Sequence, residues 1–96
     1  MIPSDNLARN QWYLFESLYD SDRDIGLGLP EIWDDYTGRG VTIGIWDDGI
    51  EYTHPDLDGS YDTSLHVTLD GKVHDPMART ADSNHGTAVA GLIAAD

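Results

Sequence analysis

The sequence contains no cysteine, which excludes a disulfide framework, a thiol nucleophile and a thiolate metal site. Basic residues are nearly as scarce: Lys and Arg total five against 18 acidic residues, a formal net charge of −13. A chain so short of cations has no face with which to release phosphate counterions, so nucleic-acid binding is excluded. No apolar run reaches the length needed to cross a bilayer, and the opening residues do not read as a basic-then-apolar leader. Glutamate is rare as well. Fifteen of the 18 acids are Asp, a residue whose short carboxylate competes for nearby backbone N–H groups and so favours turns, helix caps and calcium sites over helix interiors. Most of these Asp read as a solvated acidic surface, and a few as ligands or catalytic groups.

What is present is ordinary globular material. Ninety-six residues with 40% hydrophobic and 9% aromatic content read as one small domain rather than a disordered tail. Residues 1–28 read as an arm and a loop. The arm carries one aromatic cluster, Trp12-Tyr13-Leu14-Phe15, through which Trp12 and Phe15 are expected to dock; Gly26 and Gly28 mark the loop. Residues 29–96 read as the start of an α/β core. Pro30 suits a first helical position and Glu31 the first turn, and Ile32, Trp33 and Tyr36 recur at helical spacing before Gly38, which predicts a short helix over residues 30–37. Residues 41–46, VTIGIW, are the clearest strand, and their β-branched, near-continuous apolar character predicts burial on both faces of a parallel sheet. Trp33, Tyr36 and Trp46 are expected in the core. Asp70-Gly71 reads as a tight reversal, and residues 85–95 as a helix of small residues whose two glycines cost stability unless another backbone approaches closely.

Two residues stand where chemistry is expected. Asp47 follows the strand, at the edge where open α/β folds place their sites. His85 opens the small-residue helix, where the helix dipole favours a neutral imidazole. An Asp that orients a neutral His is two thirds of the nucleophilic-serine constellation. His54, His66 and His74 lack the spacing of a zinc site and read as solvated or structural.

The wording around these positions is more specific than their spacing. Trp46-Asp47-Asp48-Gly49-Ile50, His54-Pro55-Asp56-Leu57 and Asn84-His85-Gly86-Thr87-Ala88-Val89-Ala90-Gly91, in that order, resemble the subtilisin-like serine proteases (subtilases). The doubled Asp and the upstream Gln11-Trp12-Tyr13-Leu14 resemble the kexin/furin branch of proprotein convertases or its bacterial relatives. The resemblance implies a parallel-sheet α/β domain, a secreted endopeptidase, and a protein or peptide substrate. It makes Asp47 the triad aspartate and His85 the general base. It gives Asp48 and Asp82 a place in the pocket beside the cleaved residue, favouring a basic side chain there. For both, a turn or capping carboxylate is the alternative. It implies a structural calcium ion held by Asp5 and Asp56 together with backbone carbonyls. A second calcium site is altered, since His66 stands where an Asp is expected, leaving Asp70 and Asp75 as remnants. One departure bears on specificity: the eukaryotic convertases follow His-Gly-Thr with Arg-Cys, whereas this sequence has Ala88-Val89.

The third member of the triad has no candidate. No Gly-Thr-Ser motif is present, Ser4, Ser17, Ser21, Ser60 and Ser64 stand in arm or loop contexts, and Ser83 is too close in sequence to face His85 across a site. No Asn for an oxyanion hole follows either, so the chain alone is expected to be inactive and to need the remainder of a peptidase domain. A truncated, non-catalytic calcium-binding or protein-interaction module is the alternative.

Overall fold

The computed structural model describes residues 4, 6–15 and 26–95. The expected calcium ligand Asp5 lies outside them. The chain forms two compact units, Met1–Thr42 and Ile43–Asp96.

In the first unit the aromatic arm folds as two single 3-10 turns, Ala8–Asn10 and Trp12–Leu14. Ala8 and Leu14 are buried, while Trp12 remains exposed, and Tyr13 accepts a backbone hydrogen bond from Leu27 N at 2.9 Å. Helix α1 spans only Leu29–Ile32, with Pro30 in its first turn. It is shorter than the sequence predicts, continuing past Ile32 only as turns through residue 35. The expected core residue Tyr36 is exposed and Trp33 is half-buried. Four residues make barely one turn, and such a short helix relies on packing that this apolar face lacks.

In the second unit the helix α2, His85–Ala94, forms where expected. The core is small: Ile50, Leu57 and Ala90, with Ile45, Tyr52 and Tyr61 packed against them. Strands β1 (Thr68–Leu69) and β2 (Lys72–Val73) pair antiparallel, Thr68 opposite Val73 and Leu69 opposite Lys72. The reversal between them is Asp70-Gly71, as the sequence indicates. Both residues have positive φ, 51° and 73°, the geometry of a two-residue hairpin turn that Asp and Gly tolerate best.

Residues 41–46 depart from expectation. Among the described residues they join no ladder, and Val41, Ile43 and Trp46 are 68%, 56% and 91% exposed instead of buried. The composition is that of a buried strand, but two-sided burial needs strands on either side and helices on both faces. The described residues supply none of these to this segment.

Five buried hydrophobic residues, Ala8, Leu14, Ile50, Leu57 and Ala90, make up the core among the described residues, and no side chain there is fully buried. So little burial cannot offset about 1–2 kcal/mol of backbone entropy per ordered residue. The 96-residue chain alone is therefore expected to unfold without a sharp thermal transition. Calorimetry together with amide NMR dispersion checks this; well-dispersed signals and a sharp melt would overturn it.

Candidate functional site

The loop that follows residues 41–46 is held against the first turn of α2. Gly86 is buried, and a Cβ there would press on the Gly49 carbonyl oxygen and stand 2.9 Å from Asp47 Cβ and 3.2 Å from Asp48 Oδ1. Only a residue without a side chain lets the helix come this near. That approach brings Asp47 and His85, 38 positions apart, into contact: His85 Nδ1 lies 2.9 Å from Asp47 Oδ1 and 2.8 Å from Oδ2. An ionised carboxylate can only accept, so Nδ1 carries the proton and Nε2 is the nitrogen able to take another. The pair is oriented with its carboxylate inward, the Asp47 side chain being 18% exposed and that of His85 73%.

The two groups shift each other's protonation. The Asp47 carboxyl is held below its ordinary value, chiefly by the hydrogen bond its Oδ1 accepts from Asp48 N at 2.8 Å, then by the bond to His85. The His85 imidazole is raised, chiefly by its hydrogen bond to Asp47 and then by the Asp47 charge, with a smaller push from Asp48. These outweigh the preference for a neutral imidazole expected at a helix N-terminus, because a carboxylate in contact acts more strongly than a partial dipole charge. The ion pair therefore stabilises the fold fully above the ordinary Asp value and below the ordinary His value of 6.5. Its contribution is lost as pH falls through the lowered Asp47 value or rises through the raised His85 value.

The sequence around this pair matches the family model of the subtilase family (Peptidase S8) over residues 38–96. The chain belongs to the subtilase family. It is similar to PC3-like endoprotease variant B of Hydra vulgaris, 37% identical over 98 residues, covering 98% of this chain and 14% of that protein. It is 40% identical over 97 residues to neuroendocrine convertase 2 of Rattus norvegicus, covering 96% of this chain and 15% of the relative. It is 38% identical over 93 residues to the dibasic-processing endoprotease of Schizosaccharomyces pombe, covering 96% and 13%. These relatives are kexin-like proprotein convertases, and the chain spans about a seventh of their length. No solved structure gives a significant match. A subtilase domain is an α/β fold, of which the described residues show few elements.

The other residues singled out in this subtilase sequence are dispersed. The Asp48 carboxylate accepts a hydrogen bond from Gly86 N at 2.8 Å, so it meets the helix directly. Asp82 is exposed in the turn before α2, with no hydrogen bond to Asp48 among the described residues. Asp56 is exposed in the turn after His54, whose Nδ1 accepts from Asp56 N at 3.2 Å. Among the described residues no three His, Asp or Glu side chains come together in a metal-sized group. Asp70 sits in the hairpin turn, and Asp75 is engaged within the chain, accepting from Tyr52 OH at 3.1 Å and Met77 N at 3.0 Å. His66 packs against the stacked Tyr52–Tyr61 pair, ring centroids 4.6 Å apart. That aromatic cluster has no periodicity in the sequence and could not be foreseen from it. A cavity of about 660 Å³ lies beside α2's first turn, with Glu51, Arg79, Ser83 and Thr87 in its lining, which includes neither Asp47 nor His85. No helix among the described residues is long and apolar enough to cross a membrane.

Proposed function

We propose that this chain is the part of a secreted, subtilisin-like serine endopeptidase that carries two members of its Asp-His-Ser triad, Asp47 and His85. The contact of His85 Nδ1 with both Asp47 carboxylate oxygens, at 2.9 and 2.8 Å, carries the reading. In it Asp47 fixes the tautomer and stabilises the imidazolium, while Nε2 accepts the proton of a serine hydroxyl as that oxygen attacks a peptide carbonyl, and later returns it to the leaving amine. The serine and the oxyanion donors belong to the remainder of the peptidase domain. Residues 41–46 become a parallel-sheet strand there, which accounts for an apolar, β-branched run standing exposed in this chain. Asp48 and Asp82 line the pocket for a basic residue of a protein or peptide substrate. The dibasic-processing name of one relative supports a basic preference, and Ala88-Val89 set this chain apart from the convertases' Arg-Cys.

The base works only when neutral, so activity of the full-length protease is expected to rise as pH climbs through the raised His85 value. The acid limb of kcat/KM then lies above 6.5, the ordinary histidine value. In Asp47→Asn the two largest causes of the shift are removed, leaving only the smaller push from Asp48, and the limb of the residual activity should move to lower pH. A limb that stays in place would detach Asp47 from His85 in the working enzyme.

Calcium is proposed as a structural ion held in part by Asp5 and Asp56. Oxygen-only donors and the exposed Asp56 carboxylate suit it, but six to eight oxygens are needed, and the described residues alone do not supply them. Calorimetric titration of the full-length protease with calcium is expected to show an affinity weakened by roughly tenfold or more in Asp56→Ala, the scale of one lost carboxylate ligand. Unchanged affinity would remove Asp56 from the ligand set.

A further inference from the structure

We propose that Thr87, with Asp48 as its companion, is a positioning residue that fixes His85 against Asp47; the inference rests on the triad reading above. Three consecutive residues of α2 engage the same short loop. His85 meets Asp47, Gly86 N donates to Asp48 Oδ1 at 2.8 Å, and Thr87 Oγ1 accepts from Glu51 N at 2.9 Å. The bonds from 86 and 87 therefore follow His85 directly and span 38 and 36 positions of sequence.

Each satisfies a group that would otherwise lack a partner. Gly86 N is one of the N–H groups at a helix start with no carbonyl inside the helix to bond. Asn84, in the cap position, makes no side-chain capping bond. The Asp48 carboxylate takes that role from outside the helix, where its charge also suits the helix dipole. Glu51 N is likewise turned toward the helix and finds its acceptor in Thr87. The loop is braced from its other side: Ile50 N donates to Pro76 O at 2.8 Å, and Ala78 N to Ile50 O at 3.3 Å. A loop held on both sides is a fixed reference. The Thr87 hydroxyl ties the helix to that reference, and so sets the distance and angle at which the imidazole meets its carboxylate. Among the described residues, Asp47 and Asp48 are the charged groups that act on His85.

The test is steady-state hydrolysis of a peptide substrate by the full-length protease, read as kcat, KM and the pH of the acid limb. Thr87→Val keeps the shape but removes the acceptor. It is expected to lower kcat by roughly tenfold or more, since small misplacements of catalytic groups are costly. KM should change little, and the acid limb should move down toward ordinary histidine. Thr87→Ser, which keeps the hydroxyl, should restore all three. An unchanged kcat and limb in Thr87→Val, or an equal loss in Thr87→Ser, overturns the proposal. If Thr87→Val does not accumulate as folded protein, Thr87→Ala against Thr87→Ser makes the same comparison. Asp48→Ala leaves Gly86 N without its acceptor and is expected to lower the melting temperature of the full-length protein below that of Asp48→Asn, which keeps an acceptor oxygen; equal melting temperatures in the two would remove Asp48 from the clamp. The triad reading fails separately, if Asp47→Asn leaves kcat and the limb where they are.

Discussion

Replacing His85 by Ala in the full-length protein is expected, on the triad proposed above, to reduce kcat by roughly six orders of magnitude, the scale that loss of the base costs subtilisin itself. The size follows from the role. Without an imidazole, nothing accepts the serine proton during attack or returns it to the leaving amine, and a hydroxyl at neutral pH is a poor nucleophile. Asp47→Asn should cost about 10⁴-fold, because the amide can no longer hold Nδ1 as the donor and cannot stabilise the imidazolium. The two losses should not add, since the groups act as a unit at 2.8 Å. Steady-state kinetics of both single variants and the double variant check this. Near-wild-type turnover in His85→Ala would remove it from the triad.

Gly86→Ala should also be severe, although helix propensity alone favours the change by about 1 kcal/mol. The new Cβ would press on the Gly49 carbonyl oxygen and stand 2.9 Å from Asp47 Cβ. These are a rigid backbone atom and the root of the side chain proposed as the triad aspartate, so the helix has to retreat. Such overpacking costs roughly 1–3 kcal/mol of stability. A retreat near 1 Å separates His85 from Asp47 enough to cost about 10²-fold in kcat. Gly91, in the same helix, meets nothing within 4 Å among the described residues, so its replacement by Ala meets no such obstacle there. Thermal melts and kcat of the Gly86→Ala protease test the contact, and an unperturbed kcat would mean that the helix does not sit this close.

The contrast between the two glycines shows how far the sequence could be read. Small residues in a helix signalled that some backbone comes near, and His-Gly-Thr located the turn where chemistry was expected. Neither said against what the backbone presses. Likewise Asp48 could be read as a pocket or a capping carboxylate, and the structure gives it a hydrogen-bond partner in Gly86 N. The bond from Glu51 N to Thr87 had no signal in the sequence, since a backbone donor carries no side-chain identity.

Local patterns settled what depends on neighbours in sequence. The hairpin turn at Asp70-Gly71 follows from which residues tolerate positive φ, and α2 was read from its run of small residues. The motifs around Asp47 and His85 were enough to name the family. Tertiary structure alone decided what depends on residues far apart: the meeting of Asp47 with His85, the clamp on either side of Gly86, and the exposure of Val41, Ile43 and Trp46. A β-branched run determines only that a strand would be favourable. Whether it is buried depends on neighbours that can accept its hydrogen bonds and cover its faces, and local sequence does not supply those.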